Sequence, residues 1–166
     1  KSLYKKSNDG IFSSGCFGTD ITKLDLYKKC DIINFHWINN GFINMNLFHK
    51  IDKPIVWTIR DMWPLTGGCH YAINCDNYAK SCGKCPFLNS HTGVDASRLI
   101  FKRKKRLYRK DINIVAISNW LADEAKRSSL LKGNPIRMIP NNYDASIFFP
   151  LDKEDSRRFL GLTTQK

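Results

Sequence analysis

The stretch Ile55-Val56-Trp57-Thr58-Ile59, which Lys53-Pro54 introduces, is a run of β-branched and aromatic residues and predicts a strand. Similar apolar runs occupy residues 31–36, 112–117 and 135–139, and the first of these is expected to be a buried strand. The segments between the runs are longer and have helical patterns or irregular composition. This alternation predicts an α/β fold, a Rossmann-like parallel sheet with flanking helices.

The connecting segments carry helix-start signals. Asp95, Ser118 and Asp152 are suitable N-caps. The predicted helices cover residues 41–50, 95–110 and 120–127, and a last one follows Asp152 and ends at Gly161. In the third of them, Trp120, Leu121 and Ala125 are expected to share one face. Residues 61–92 predict a long irregular loop, and residues 1–30 remain unassigned.

Ligands of open parallel sheets bind outside the carboxyl ends of the strands. The residues that directly follow the predicted strands are therefore candidate site residues: His36-Trp37, Arg60-Asp61, Ser118-Asn119 and Asn141-Asn142.

Four of the six cysteines lie close together in the loop: Cys69, Cys75, Cys82 and Cys85. Four thiolates are a tetrahedral zinc set, and the Cys82-x2-Cys85 pair is a common half-site, although the first pair is more widely spaced than is usual. The absence of a visible secretory signal disfavours a disulfide framework. Three states of this cluster remain open: a structural zinc site, two disulfides, or unligated thiols. In the zinc site, His70 could replace Cys69. Cys16 and Cys30 are expected to be plain buried or half-buried thiols.

The formal net charge of +12 favours an anionic partner. Much of the excess lies between Lys102 and Lys110. Three interpretations of this run stay open: a solvated helix face, contact with an anionic membrane surface, and a nucleic-acid patch. No apolar run approaches the roughly 18 residues that span a bilayer.

Four strings together resemble family 4 glycosyltransferases, over about residues 31–162 and in the family's order. They are DIINFHWINNGF from Asp31, WTIRDMWPLTGGCHY from Trp57, AISNWLA from Ala116 and IPNNYD from Ile139, the last followed by Phe149-Pro150. The third is similar to the family's "SPS-x-WLA" segment and the fourth to its "IPNG" segment.

The resemblance implies a GT-B fold of two Rossmann-like domains and transfer of a sugar, with retention, from a nucleotide-sugar to a glycan or lipid-linked acceptor. It implies no cofactor for catalysis and a cytoplasmic enzyme of polysaccharide biosynthesis, peripheral at the inner face of the membrane. Residues 1–145 would be most of the N-terminal acceptor-binding domain, with its start missing. Residues 146–166 would be the linker and the start of an absent donor-binding domain, so the piece alone is expected to be inactive.

The resemblance also suggests site residues. His36 matches a position near the acceptor or sugar phosphate, and Gly41 a glycine where backbone approaches a ligand. Arg60 departs from the family's usual histidine; it can hold a phosphate bidentately, or it indicates a lineage that has lost activity. Asp61 would orient an acceptor hydroxyl or pair with Arg60.

Two more candidates complete this set. Asn141, with Asn142 in place of the family's glycine, is expected to bind substrate. Ser118 would offer a helix N-terminus to an anion, or is a plain N-cap.

A zinc-ribbon-like basic module that binds nucleic acid is an alternative function of a different class. The charge and the cysteine pair favour it. The alternating strands and helices argue against it, because they predict a sheet larger than a ribbon.

Overall fold

The computed structural model describes residues 10–162 and contains a four-stranded sheet in the order β1-β2-β3-β4. The strands are β1 (Ile33–Phe35), β2 (Ile55–Ile59), β3 (Asn113–Ala116) and β4 (Ile136–Met138). All three neighbouring pairs are parallel. The predicted α/β fold, a Rossmann-like parallel sheet with flanking helices, is confirmed.

The α-helices are α1 (Asp25–Lys29), α2 (Ala96–Leu107), α3 (Asn119–Arg127) and α4 (Lys153–Phe159). The three predicted N-caps are confirmed. The side chain of Asp95 accepts from the backbone N–H of Arg98 at 3.1 Å, Ser118 from Leu121 at 3.2 Å, and Asp152 from Asp155 at 2.9 Å. These caps fix where the helices begin.

The segment between β1 and β2 differs from its prediction. A helix over residues 41–50 is wrong in its first half, because a turn precedes a 3₁₀-helix at Met45–Lys50. Asn44 caps that helix by accepting from the backbone N–H of Asn46 at 3.0 Å, and Gly41 has a φ of +80°. The residues directly after β1 therefore form an open turn.

The core packs against one face of the sheet around Trp57. Its indole contacts the rings of Phe35, Phe48, Trp63 and Tyr108, with centroids 5.5 to 6.3 Å apart. The residues of β1 alternate, so that Phe35 is buried, Asn34 is exposed and Ile33 is half-buried. The prediction of a buried strand there holds for one face alone, because the core covers one face of the sheet, and the inner strands β2 and β3 alternate in the same way.

Helix α3 presents a different face from the one expected. Leu121, Ala122 and Ala125 are buried, whereas the side chain of Trp120 is 51% exposed. Trp120 is the second residue of the helix, after the N-cap Ser118 and Asn119. The aromatic residue is thus left at the surface near the end of β3.

Helix α2 carries an inward-facing stripe of Ser97, Ile100, Phe101 and Lys104. Lys104 is fully buried and lies over the ring of Trp63 at 3.4 Å. Its ammonium donates to the carbonyl oxygens of Trp63 and, at 3.1 Å, of Thr66. The interpretation of the basic run as a solvated helix face is therefore wrong for Lys104, although its neighbours Lys102, Lys105 and Arg106 are exposed.

The loop at residues 61–92 is irregular, as predicted, apart from three short 3₁₀-helices. Side chains from the helices around it hold its backbone. Cys85 N–H donates to Asp95 at 2.9 Å, Arg98 donates to the carbonyl of Cys82 at 3.3 Å, and Ser128 donates to the carbonyl of Leu65 at 2.7 Å. Buried backbone groups need such partners, and they anchor the loop at several points along its length.

No helix within residues 10–162 is long and apolar enough to cross a membrane.

Replacing Lys104 with methionine should remove a pH-dependent part of the stability. Burial lowers the pKa of Lys104 from 10.5 to about 7. At a pH between about 7 and 10.5, Lys104 is protonated in the unfolded chain and neutral in the folded chain. The stability of the native protein should therefore rise relative to K104M by up to about 1.4 kcal/mol per pH unit over this range.

Urea unfolding of both proteins between about pH 6 and about pH 9 measures this difference. K105M is the matched control, because Lys105 is exposed on the same helix. A difference between K104M and the native protein that is constant with pH would contradict the prediction.

Candidate active site at the carboxyl edge of the sheet

Three predicted site residues meet at the carboxyl edge of the sheet. Arg60 follows β2, and its Nε donates to Nδ1 of His36, which follows β1, at 3.4 Å. The Nη1 of Arg60 donates to Oδ1 of Asn141, which lies beyond β4, at 3.2 Å. We call these three residues the Arg60 cluster. The structure thus brings these three candidates together, and their role in a site stays a prediction.

The Arg60 cluster exposes a positive charge. Both partners of the guanidinium are neutral acceptors, and all three side chains are exposed. Within residues 10–162, Arg60 has no acidic partner in an ion pair. Because Nδ1 of His36 accepts from Arg60, that ring carries its hydrogen on Nε2 and can donate it. The cluster can therefore bind an anion through donors from two strands.

Asp61, next to Arg60, points into the protein and does not pair with it. Its carboxylate accepts from Nδ1 of His70 at 2.6 Å, from Nε1 of Trp37 at 3.1 Å and from the backbone N–H of Trp63 at 2.9 Å. The residue is 8% exposed. The sequence-based alternative of an Arg60–Asp61 pair is wrong, since each of the two has other partners.

The hydrogen-bond chain continues from Asp61 to the segment before the first helix. Nε2 of His70 lies 3.0 Å from Oγ of Ser13, and His70 is 4% exposed. Both ring nitrogens of His70 are thus occupied. The imidazole is not free to replace Cys69 as a metal ligand.

Two other predicted substrate-binding residues lie near this edge. Ser118 uses its hydroxyl as the N-cap of α3, which matches the plain N-cap alternative. Gly41 lies in the turn after β1 and has open space where a Cβ would stand. It belongs to the wall of a cavity that also includes Ser13 and Asn39.

Sequence patterns did not point to two aromatic residues of this region. Tyr71 and Trp120 stack with centroids 6.4 Å apart and planes at 16°, although they are 54% and 51% exposed. The one available signal for them is position, because each stands within two residues of a candidate already selected. Trp37, which is itself a candidate because it follows β1, is 44% exposed beside His70.

The four loop cysteines converge on one small cavity of about 20 Å³. All four are free thiols, as are Cys16 and Cys30, which are half-buried as expected. Burial, and to a smaller extent the neighbouring thiols, raises the pKa of Cys69 to about 11 and that of Cys82 to about 12. Gly67 closes the cavity, since a Cβ there would lie 2.2 Å from the carbonyl oxygen of Ser97.

The donor set fits zinc in type and number, and the cavity has room for one ion. In residues 10–162, however, no three His, Cys, Asp or Glu side chains are arranged so that they could hold a metal ion. Binding of zinc would therefore require the thiols to turn towards one point. The structural zinc stays a prediction of the sequence.

If this prediction is right, the chain purified under reducing conditions should contain about one zinc ion per chain. Metal analysis measures it, and a C82S/C85S variant should lose the metal because half of the ligands are removed. C30S is the matched control, since Cys30 lies outside the cavity. A metal-free native chain that is fully folded would rule zinc out.

Comparison with known proteins gives one informative similarity. The chain is 27% identical over 128 residues to the putative colanic acid biosynthesis glycosyl transferase WcaC of Escherichia coli (strain K12). The match covers 68% of this chain and 31% of that protein, so the chain spans about a third of the length of this curated relative. No family model and no solved structure matches it. The chain is therefore a distant relative of a protein described as a putative glycosyl transferase, and this likeness supports a glycosyltransferase family.

Proposed function

We propose that the chain is the acceptor-side part of a retaining GT-B glycosyltransferase of family 4. The enzyme of which it is a part would transfer a sugar from a nucleotide-sugar to a glycan or a lipid-linked acceptor. The parallel sheet, the quoted motifs and the similarity to a putative glycosyl transferase support this proposal. From that relative we infer glycosyl transfer for this protein, but we do not infer that the two proteins share a biosynthetic pathway.

The observation that carries the proposal is the Arg60 cluster. Loss of a nucleoside diphosphate from a sugar develops negative charge on the leaving oxygens. A guanidinium whose orientation is fixed by two neutral partners can stabilise that charge without reorganising. The Nε2–H of His36 adds a second donor at the same edge.

Asp61 has a positioning role in this scheme. Its carboxylate is buried and saturated by His70, Trp37 and the backbone of Trp63, so it does not reach a substrate directly. It fixes the chain direction directly after β2, and therefore the direction in which Arg60 leaves the strand. In this proposal Asp61 orients an acceptor hydroxyl indirectly, through the side chains of Trp37 and His70 that it binds.

The exposed aromatic residues suit a carbohydrate acceptor. Sugar rings have apolar faces of C–H groups, and these pack on aromatic rings. Tyr71 and Trp120 form a stacked pair at the surface, next to the N-terminus of α3 and the end of β3. Exposed aromatic residues at one edge of a sheet are typical of a binding surface.

We also propose that catalysis needs no metal, and that a lipid-linked acceptor brings the protein to an anionic membrane. Lys102, Lys105 and Arg106 are the exposed charges of α2 that would contact such a surface. A nucleic-acid module is the weaker candidate. Within the described part of the chain, the fold is a parallel sheet, and Lys104 of the basic run is buried.

Substitution of Arg60 tests the proposed function. In the complete protein that carries this chain, R60A should lower kcat/KM for sugar transfer by about 10²-fold or more, because the leaving diphosphate loses a preorganised donor. R60K should recover part of the rate, since a lysine keeps the charge and loses the two-point contact. Transfer and hydrolysis of a panel of nucleotide-sugars measure both effects.

R137A is the control, because Arg137 is exposed on β4 and contributes nothing to the Arg60 cluster. If R60A and R137A were equally active, Arg60 would have no role in transfer. A native protein inactive on every donor would favour the interpretation of a lineage that has lost activity.

A further inference from the structure

A cavity of about 390 Å³ lies between the cysteine-containing loop at residues 61–92, called the cysteine loop, and the start of α2. Three basic residues line it: Lys80, Lys84 and Arg98. Asp76, which also lines it, binds Arg127 in the last turn of α3, whereas the opposite end of that helix adjoins the carboxyl edge of the sheet. No residue of the Arg60 cluster lines this cavity, and the proposed sugar transfer does not use it.

The positive charges of this cavity are not neutralised by a carboxylate. Among the described residues that line it, Asp76 alone is acidic, and its Oδ1 accepts from Nη2 of Arg127 at 2.7 Å. Within residues 10–162, the ammonium groups of Lys80 and Lys84 have no hydrogen bond or ion pair. Both side chains are exposed, so a ligand in the cavity can reach them. Even with Asp76 counted against the three cations, the lining carries a net charge of +2.

Arg98 adds a guanidinium that neutral groups hold in place. Its Nη1 donates to Oγ of Ser81 at 2.6 Å and to the carbonyl of Cys82 at 3.3 Å. Its Nε is buried and beyond the reach of a ligand, whereas Nη2 is not buried and has no partner in the part of the chain that the structure describes. Nη2 is therefore the nitrogen that can donate to a ligand while the guanidinium keeps its orientation.

The backbone that carries Lys84 is fixed by the segment opposite it. The N–H of Lys84 donates to the carbonyl of Thr92 at 2.9 Å. Gly83 has a φ of +94°, and a Cβ there would lie 2.4 Å from the carbonyl oxygen of Gly93, so the two segments approach closely at this point. One of the cations is thus mounted on a fixed segment, which lowers the entropy lost when a ligand is bound.

The charge of the cavity selects the class of ligand. An excess of cations without a free carboxylate attracts an anion. A phosphate monoester carries a charge of about −1.5 to −2 near pH 7 and has three oxygens that accept hydrogen bonds. Lysine binds phosphate as a point charge and arginine through its fork of N–H donors. The three cations therefore match a phosphate group in charge and in the kind of donor.

We propose that this cavity binds a phosphate group through Lys80, Lys84 and Arg98. The group belongs either to a lipid headgroup or to a small soluble phosphate, which share this chemistry. The site goes beyond the proposed function, because sugar transfer does not depend on it. Lys102 and Lys105 follow Arg98 on the same face of α2, so a headgroup in the cavity would lie at one end of that basic face.

Titration of the 166-residue chain with inorganic phosphate at constant ionic strength tests the proposal. In ¹H–¹⁵N correlation spectra, the backbone amides of Gly83, Lys84 and Gly93 should shift, with a dissociation constant on the order of 1 mM. Acetate at the same concentrations should shift them less, because it has a smaller charge and fewer oxygens. Equal shifts with phosphate and acetate would overturn the assignment to phosphate, and the absence of shifts would overturn the site.

Two double variants separate the cavity from the overall charge of the chain. K80M/K84M should weaken phosphate binding about tenfold or more, because two of the three cations are lost. K102M/K105M removes the same charge from exposed positions of α2 outside the cavity and should weaken binding by about twofold or less. All four lysines are exposed, so both variants should keep the thermal midpoint of the native chain. An equal loss in the two variants would mean that the net charge of +12 alone attracts phosphate, and the proposal would be wrong.

Two further probes identify the source of the phosphate. Glycerol phosphate is a soluble monoester, and vesicles of phosphatidylcholine with added phosphatidic acid present the same group at a membrane surface. If K80M/K84M no longer sediments with these vesicles, the site takes a lipid headgroup. If it sediments like the native chain but does not bind glycerol phosphate, the site takes a soluble phosphate. If it binds both probes like the native chain, the cavity is not the site, and the proposed function stands, because none of these measurements depends on sugar transfer.

Discussion

The carboxylate of Asp61 is the constraint on which the site depends. A buried charge is tolerated only when it is hydrogen-bonded, and this one takes three donors, from the turn after β1 and from two places in the cysteine loop. Trp37 comes from the turn after β1, Trp63 from the start of the cysteine loop and His70 from further along that loop. Through His70 the same carboxylate reaches Ser13, far upstream in the chain. One side chain therefore sets the relative positions of the segments around the carboxyl edge.

The arrangement divides the edge into two environments with different chemistry. Asp61 points inwards and is saturated, whereas its neighbour Arg60 points outwards and meets neutral partners alone. The charge of Arg60 is thus not cancelled by the adjacent carboxylate. On its inner side, the carboxylate of Asp61 is linked through His70 to Ser13 instead.

The cysteine loop is held more by hydrogen bonds than its sequence suggests. Lys104 crosses into the core to reach two loop carbonyls, and Asp95, Arg98 and Ser128 bind the backbone at other points. Buried backbone carbonyls need donors, and a lysine on the inward stripe of α2 supplies them although its own burial is unfavourable. The four thiols add a common cavity to a loop that is already anchored. The wall of the site therefore does not rest on the cysteines alone.

The sequence by itself determined the parallel sheet, the capping residues and the set of side chains at the carboxyl edge. These features depend on local signals: runs of β-branched residues, N-caps such as Ser118, and the position directly after a strand. Even the burial of Lys104 has a local sequence signal, because Lys104 lies on the same face of the helix as Ile100 and Phe101. Only the tertiary structure decided that Asp61 pairs with His70 instead of Arg60, that Ser13 joins them, and that Asn39 is buried without a donor. Such contacts join residues far apart in the chain, and no local periodicity encodes which of several polar side chains will satisfy a buried charge.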